Sequence, residues 1–171
     1  GRILSSLKTQ FPDAVSDQNP IIQMGFWPGG DRDGNPFVNT ATTLKVADSL
    51  RGTILRCYYL DVRRLKRRLT FKEVDAIIAE LEEQLYQELF HPDPNAPLDL
   101  GGMLNSMGRI REILIYQNNS LFLHLVDNFI SKIRIFGLHF ATLDLRQDSS
   151  IHTQVIKAVK EREKDFPENY E

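Results

Sequence analysis

From Thr42 onward, the apolar residues Leu44, Ala47, Ile54, Tyr58, Val62, Leu65 and Leu69 recur in helical phase, which predicts one long amphipathic helix. Thr70-Phe71-Lys72-Glu73 follows with the form of a capping box, in which Thr70 and Glu73 are expected to satisfy free amides and open a second helix. Its apolar face is Val74, Ile77, Ile78, Leu81, Leu85 and Leu89. It should stop at His91-Pro92, because the residue before proline avoids helical geometry. Helices joined by so tight a turn are expected to fold back as an antiparallel pair. Residues 92–102 carry three prolines and read as a loop. A shorter helix is predicted over 104–116 and another over 120–136, the latter burying Phe122, Leu125, Val126, Phe129 and Ile133. Gly137 is the expected left-handed C-cap.

Two segments depart from this helical pattern. Residues 21–27 and, apart from Asp144, residues 138–145 are short apolar runs. Each has the length of a buried strand, although periodicity alone leaves a short buried helix open. Each ends in charged and amide residues, which is how α/β barrels deliver polar side chains to an active site. The chain therefore reads as mainly α with two short buried strands. A strand and glycine-rich loop occupy 21–38, a helical insert 41–136, a strand and arginine motif 138–149, and the start of a further helix 150–165. Residues 2–11 read as the tail of a helix, with Ile3, Leu4 and Leu7, and the charged stretch 157–171, containing Pro167, is expected to fray. Both ends look interrupted rather than finished.

Composition narrows the class. The 171 residues are 42% apolar and include ten phenylalanines, five tyrosines and one tryptophan, enough to bury a core. The single cysteine, Cys57, excludes an intrachain disulfide and fits a reducing, cytoplasmic setting. It sits mid-helix beside Ile54 and Tyr58, a poor setting for a nucleophile. Lys+Arg 21 against Asp+Glu 23 leaves a net charge of −2, with no global drive toward nucleic acid or membrane. The longest apolar stretch, around 121–126, is interrupted by His124 and falls far short of the roughly 20 residues a bilayer requires. The opening Gly1-Arg2-Ile3-Leu4 leads into polar residues rather than a signal-peptide core.

Candidate chemistry concentrates in two motifs. In Phe26-Trp27-Pro28-Gly29-Gly30-Asp31-Arg32-Asp33-Gly34-Asn35-Pro36, three glycines permit unusual backbone geometry and Pro28 and Pro36 stiffen the ends. Such a loop is expected to present Asp31, Arg32, Asp33 and Asn35 in fixed directions; the competing reading is a plain turn with solvated charges. It is no EF-hand, since setting Gly34 at the sixth position puts Gly29 and Thr40 where carboxylates are needed. The dinucleotide and phosphate-loop glycine spacings are also unmet. In Ala141-Thr142-Leu143-Asp144-Leu145-Arg146-Gln147-Asp148-Ser149, an alternating strand would bury Leu143 and Leu145 and turn Asp144 and Arg146 to the other face. Arg146 suits a two-point grip on carboxylate or phosphate oxygens. The alternative is a structural Arg146–Asp144 pair with Ser149 capping the next helix. The basic run Arg63, Arg64, Lys66, Arg67 and Arg68 is matched by acidic residues on the following helix, which favours a solvated, paired face over a nucleic-acid surface. His91, His124, His139 and His152 lack metal-site spacing, and His139 is expected to be buried and hydrogen-bonded.

The stretch Gly25-Phe26-Trp27-Pro28-Gly29-Gly30-Asp31-Arg32-Asp33-Gly34-Asn35-Pro36-Phe37-Val38 resembles the tryptophan-glycine loop of phosphoenolpyruvate carboxylases. Residues 136–149, ending Leu143-Asp144-Leu145-Arg146-Gln147-Asp148-Ser149, resemble that family's Leu-Asp-Ile-Arg-Gln-Glu/Asp-Ser strand, in the same order. The resemblance implies a fragment of a much longer chain, a (β/α)₈ barrel with many extra helices. Such enzymes join bicarbonate to phosphoenolpyruvate, giving oxaloacetate and phosphate, with Mg²⁺. Arg146 is then implied to hold anionic oxygens, Trp27 to line a water-excluding apolar pocket, and Arg32 to assist anion binding. Gly29, Gly30, Asp31, Asp33 and Asn35 are implied to shape the active-site loop.

The family's Thr-Ala-His-Pro-Thr motif, its Mg²⁺ carboxylates and its Gly-Arg-Gly-Gly loop have no match here. The metal ligands are thus expected outside this chain, and the segment alone is expected to be inactive. Tyr116-Gln117-Asn118-Asn119-Ser120-Leu121 replaces the Tyr-Arg-Ser-Leu stretch linked in some members to sugar-phosphate activation, so that activation is not expected. The parent is expected to be a cytoplasmic homotetramer, and strand edges without neighbours are expected to make the segment self-associate. A helical partner- or anion-binding module without catalysis is the alternative.

Overall fold

The computed structural model describes residues 6, 7, 9–14, 23–32, 35 and 37–162. In chain order these form β1 (Gly25–Phe26), α1 (Thr40–Lys66), α2 (Val74–Phe90), α3 (Leu100–Gln117), α4 (Leu123–Phe136), β2 (Thr142–Leu143) and α5 (Ser149–Arg162). Ser6, Leu7, Thr9 and Gln10 are helical, as the early apolar pattern implies; residues 2–5 and 8 of that predicted helix, residues 21 and 22 of the first apolar run and the charged tail after Arg162 lie outside the described residues. The chain divides into a larger unit, Gly1–Met24 with Asp48–Thr142, and a smaller one, Gly25–Ala47 with Leu143–Glu171.

The larger unit is built on helical stripes that share one core. α2 buries Val74, Ile77, Ile78, Leu81 and Leu85, and α3 buries Met103, Met107, Ile110 and Leu114 at three- and four-residue spacing. α1 adds Ile54, Leu55, Tyr58, Val62 and Leu65, and α4 adds Val126, Phe129, Ile130 and Ile133. Burying each such side chain contributes about 1.5–3 kcal/mol, so the helices stand by packing rather than by propensity. The predicted antiparallel pairing of α1 and α2 is present. Arg51 meets Glu88 at 2.5 Å, Arg63 meets Glu82 at 3.5 Å, and Lys66 also pairs with Glu82. Rising numbers on one helix meet falling numbers on the other. Arg111 meets Asp127 at 2.8 Å between α3 and α4, and Lys132 meets Asp61 at 2.6 Å between α4 and α1. The Arg111–Asp127 pair, exposed on both sides, contributes little energy.

The helix starts correct the sequence reading. No capping box forms: α2 begins at Val74, and Glu73 has φ +72° with no side-chain cap. With Glu73 at positive φ, the Phe71 carbonyl accepts from the Val74 and Asp75 amides instead. α3 begins at Leu100, inside the expected loop. Asp99 accepts from the Gly101 and Gly102 amides at 2.9 and 2.8 Å, and a Cβ on Gly102 would lie 3.2 Å from that carboxylate. The glycine pair that reads as loop makes room for the cap. α4 starts at Leu123 rather than Ser120, because Asn119, Ser120 and Phe122 are all left-handed and reverse the chain first. Gly137 ends α4 with positive φ as expected, but its ψ of −144° puts it in a glycine-only region instead of the left-handed helical one.

Both strands are shorter than predicted and neither is buried: Gly25 and Thr142 are exposed, Phe26 and Leu143 half-buried. They pair in parallel, with the Thr142 amide donating to the Met24 carbonyl at 2.9 Å and that of Asp144 to Phe26 at 2.8 Å. His139 is exposed rather than buried, since the chain is turning at residues 137–141 and has not yet entered β2. Among the described residues no helix is long and apolar enough to cross a membrane.

Replacing Asp99 by Ala should destabilise the larger unit by about 1 kcal/mol, and Asp99→Asn should recover most of that loss. Urea unfolding followed by circular dichroism measures both.

Candidate functional site

The charged motifs meet in the smaller unit. A turn opens at Trp27, whose carbonyl accepts from the Gly30 and Asp31 amides at 3.0 and 3.2 Å. Gly29 has φ +82°, and a Cβ there would lie 2.6 Å from the Val46 Cγ2 methyl. Gly30 is buried, and a Cβ on it would sit 2.1 Å from the Asp144 carbonyl oxygen. Only glycine lets the two strands approach so closely. The approach continues as main-chain pairing: the Arg146 amide donates to Gly30 O at 3.0 Å, and the Arg32 amide donates to Arg146 O at 2.9 Å. Asp31 and Arg146 form a parallel bridge. The two motifs read separately along the chain thus lie on one ladder.

A buried threonine braces the loop. Thr43, 8% exposed, donates through its hydroxyl to Gly29 O at 2.7 Å and accepts from Arg32 Nη2 at 3.0 Å. Arg32 Nε is buried without a hydrogen-bond partner. The guanidinium is therefore held at one end while a donor remains unused, a cost that an incoming acceptor would remove. Thr43 is held by the start of α1, where Asn39 Oδ1 accepts from the Thr42 amide at 2.9 Å. Periodicity starts this helix at Thr42 and makes Leu44 and Ala47 core positions; in the structure both are exposed and Thr43 is the buried one. The Asn39 cap was the legible signal for the earlier start. Nothing in an apolar pattern points to Thr43.

The remaining candidates are placed as follows. Trp27 is 61% exposed, and Asn35 Oδ1 accepts from the Phe37 amide at 3.1 Å. Asp33 lies outside the described residues. Arg146 Nε lies 3.4 Å from Asp144 Oδ2, both side chains well exposed, so the structural pair exists but is weak. Strand alternation fails to bury Leu145, which is 58% exposed; Leu143 is half-buried and α5 buries none of its residues. The cap of α5 is Asp148 rather than Ser149: its carboxylate accepts from the Ser150 amide at 2.8 Å and from the Ser150 hydroxyl. Among the described residues no three His, Cys, Asp or Glu side chains converge to hold a metal ion. Cys57 is exposed on α1.

A family model described as phosphoenolpyruvate carboxylase matches residues 1–97 and 87–171. The chain belongs to the phosphoenolpyruvate carboxylase family. It is 27% identical to the phosphoenolpyruvate carboxylase of Shewanella sediminis across 185 aligned positions, covering 90% of this chain and 21% of that protein. Against that of Nitrosomonas europaea it is 27% identical, covering 88% of this chain and 20% of the relative. Against that of a Synechococcus strain it is 24% identical, covering 99% and 21%. The chain thus spans about a fifth of the length of these carboxylases.

Two outcomes test the geometry. In Gly30→Ala, the methyl cannot coexist with the Asp144 carbonyl, so the Arg32 and Arg146 amides should exchange with solvent about tenfold faster or more. Gly25→Ala, whose added methyl meets open space, should leave them unchanged. Hydrogen exchange read by NMR distinguishes the two. The Ser150 hydroxyl and amide hold the Asp148 carboxyl below the usual carboxylate range. A depressed folded-state pKa stabilises the cap above the unfolded-state value and loses that effect as pH falls through the folded one. The first turn of α5 should therefore loosen as pH falls below the usual carboxylate range, and in Asp148→Asn that acid step should vanish from the amide shifts of 149–152.

Proposed function

We propose that this chain is an internal segment of a phosphoenolpyruvate carboxylase whose intact form joins bicarbonate to phosphoenolpyruvate, releasing oxaloacetate and phosphate. The observation that carries the reading is the ladder linking Arg32 and Arg146, with donors at 3.0 and 2.9 Å. It sets two arginines on neighbouring rungs, a side-chain type suited to carboxylate and phosphate oxygens.

In this reading a bicarbonate oxygen attacks the phosphorus of phosphoenolpyruvate, giving carboxyphosphate and the enolate of pyruvate. The enolate carbon then attacks the carboxyl carbon, forming the new carbon–carbon bond and expelling phosphate. Arg146 holds the anionic oxygens as charge shifts among them, a role worth several kcal/mol when the donor is already in place. Arg32, braced by Thr43, assists. Trp27 covers the reactive intermediates from water. Gly29, Gly30, Asp31, Asp33 and Asn35 form the loop that carries these side chains. Mg²⁺ is proposed to serve the intact enzyme, held by carboxylates outside this segment, as the family resemblance implies. The parent is proposed to be a cytoplasmic homotetramer. Without their neighbours, the short parallel strands leave edges that favour self-association of the segment, which sedimentation at rising concentration would detect.

A second reading, an anion- or partner-binding module without catalysis, draws on the exposed Arg146–Asp144 pair, where the arginine already has a carboxylate. Turnover separates the two. In the full-length carboxylase bearing this segment, Arg146→Lys should lower kcat by about 100-fold or more, since Lys cannot reproduce a planar two-point grip. Near-normal turnover would favour the binding module. The 171-residue chain alone, given phosphoenolpyruvate, bicarbonate and Mg²⁺, should form no oxaloacetate in an assay coupled to NADH oxidation.

A further inference from the structure

Tyr58 sits in the middle of α1 with no exposed surface, and its ring packs edge-on against Phe129 at 5.6 Å. A phenylalanine would fill that space without bringing a hydroxyl into the core. The hydroxyl has a specific partner: it donates to the Gly137 carbonyl at 2.8 Å, with the Lys132 carbonyl at 3.4 Å as a second acceptor. Burial drives the phenol's pKa far above its ordinary value, so it stays a neutral donor.

Gly137 begins a corner that is tied at each step. Its amide donates to Ile133 O at 2.9 Å, the Phe140 amide to Phe136 O at 2.9 Å, and the Ala141 amide to His139 O at 2.8 Å. The rings of Phe136 and Phe140 stack 5.4 Å apart and 3° from parallel, and Phe140 has φ +70°. The next amide, that of Thr142, makes the first β2 bond to Met24 O. The corner thus leads directly into the first pairing of β2. A slip of one residue would turn Asp144 and Arg146 to the opposite face.

We propose that Tyr58 is a positioning residue for the Arg146 motif: by holding the Gly137 carbonyl it fixes the corner from α4 into β2, and with it the register that presents Arg146. The inference rests on the reading of Arg146 as an anion-binding residue of the intact carboxylase. Tyr58 itself touches no substrate.

The test uses the full-length carboxylase. Tyr58→Phe keeps the ring against Phe129 and removes only the donor. Gly137→Ala meets no neighbouring atom but strains the same corner through its positive φ. Both should lower kcat/KM for phosphoenolpyruvate by about tenfold, because small misplacements at a reacting centre are costly. Both should also speed amide exchange over residues 138–146 while leaving α2 and α3 protected. Phe129→Leu, a core change beside the same ring, serves as the control: it should lower Tm and leave kcat/KM within about twofold. Wild-type kcat/KM in both Tyr58→Phe and Gly137→Ala would overturn the proposal, as would a loss in Phe129→Leu equal to theirs at matched Tm. If Arg146→Lys retains normal turnover, the carboxylase reading fails. If Arg146→Lys is impaired while the two corner variants are normal, only the role of Tyr58 fails.

Discussion

The contact between the Gly30 backbone and the Asp144 carbonyl governs the rest of the smaller unit. A side chain at position 30 would have to occupy the place of that oxygen. Without one, the glycine-rich loop and the arginine motif come within main-chain bonding distance, and the Arg146 and Arg32 amides complete the ladder. Since α5 buries no residue, this ladder and the Thr43 brace supply order that a hydrophobic core would otherwise provide. The motif's charges can then be exposed and still be directed, because direction comes from the backbone.

The larger unit is organised on the opposite principle. Its helices bury continuous apolar stripes, and charged pairs at their margins join one helix to another. Glu88 does this twice over, pairing with Arg51 and accepting the Leu98 amide at 3.0 Å, so that the loop after α2 is tied back to the hairpin.

Much of this was legible in the sequence, for identifiable reasons. Helical periodicity located α2 and most of α1, α3 and α4, because their stability comes from the same apolar spacing that the reading uses. Helix beginnings were less legible, because caps depend on backbone angles: Glu73 is left-handed where a capping box requires otherwise, and Asp99 caps through two glycines that look like loop. The strands are shorter than their apolar content suggests because that content is not buried: Leu145 and His139 stand open. The two motifs were visible as separate stretches. Their joining on one ladder was not, since no local pattern encodes a pairing across the whole insert, and Thr43 gave no signal at all.

That pairing also dictates an order of events during synthesis. Gly30 leaves the ribosome long before Arg146, and every residue of the insert emerges between them. The α1–α2 hairpin is local and can assemble early, whereas the glycine-rich loop must wait for its partner strand. The charged motif with the least core to hold it is thus completed only after the whole helical insert has emerged. Until then, its unpaired amides depend on water or on chaperones for protection.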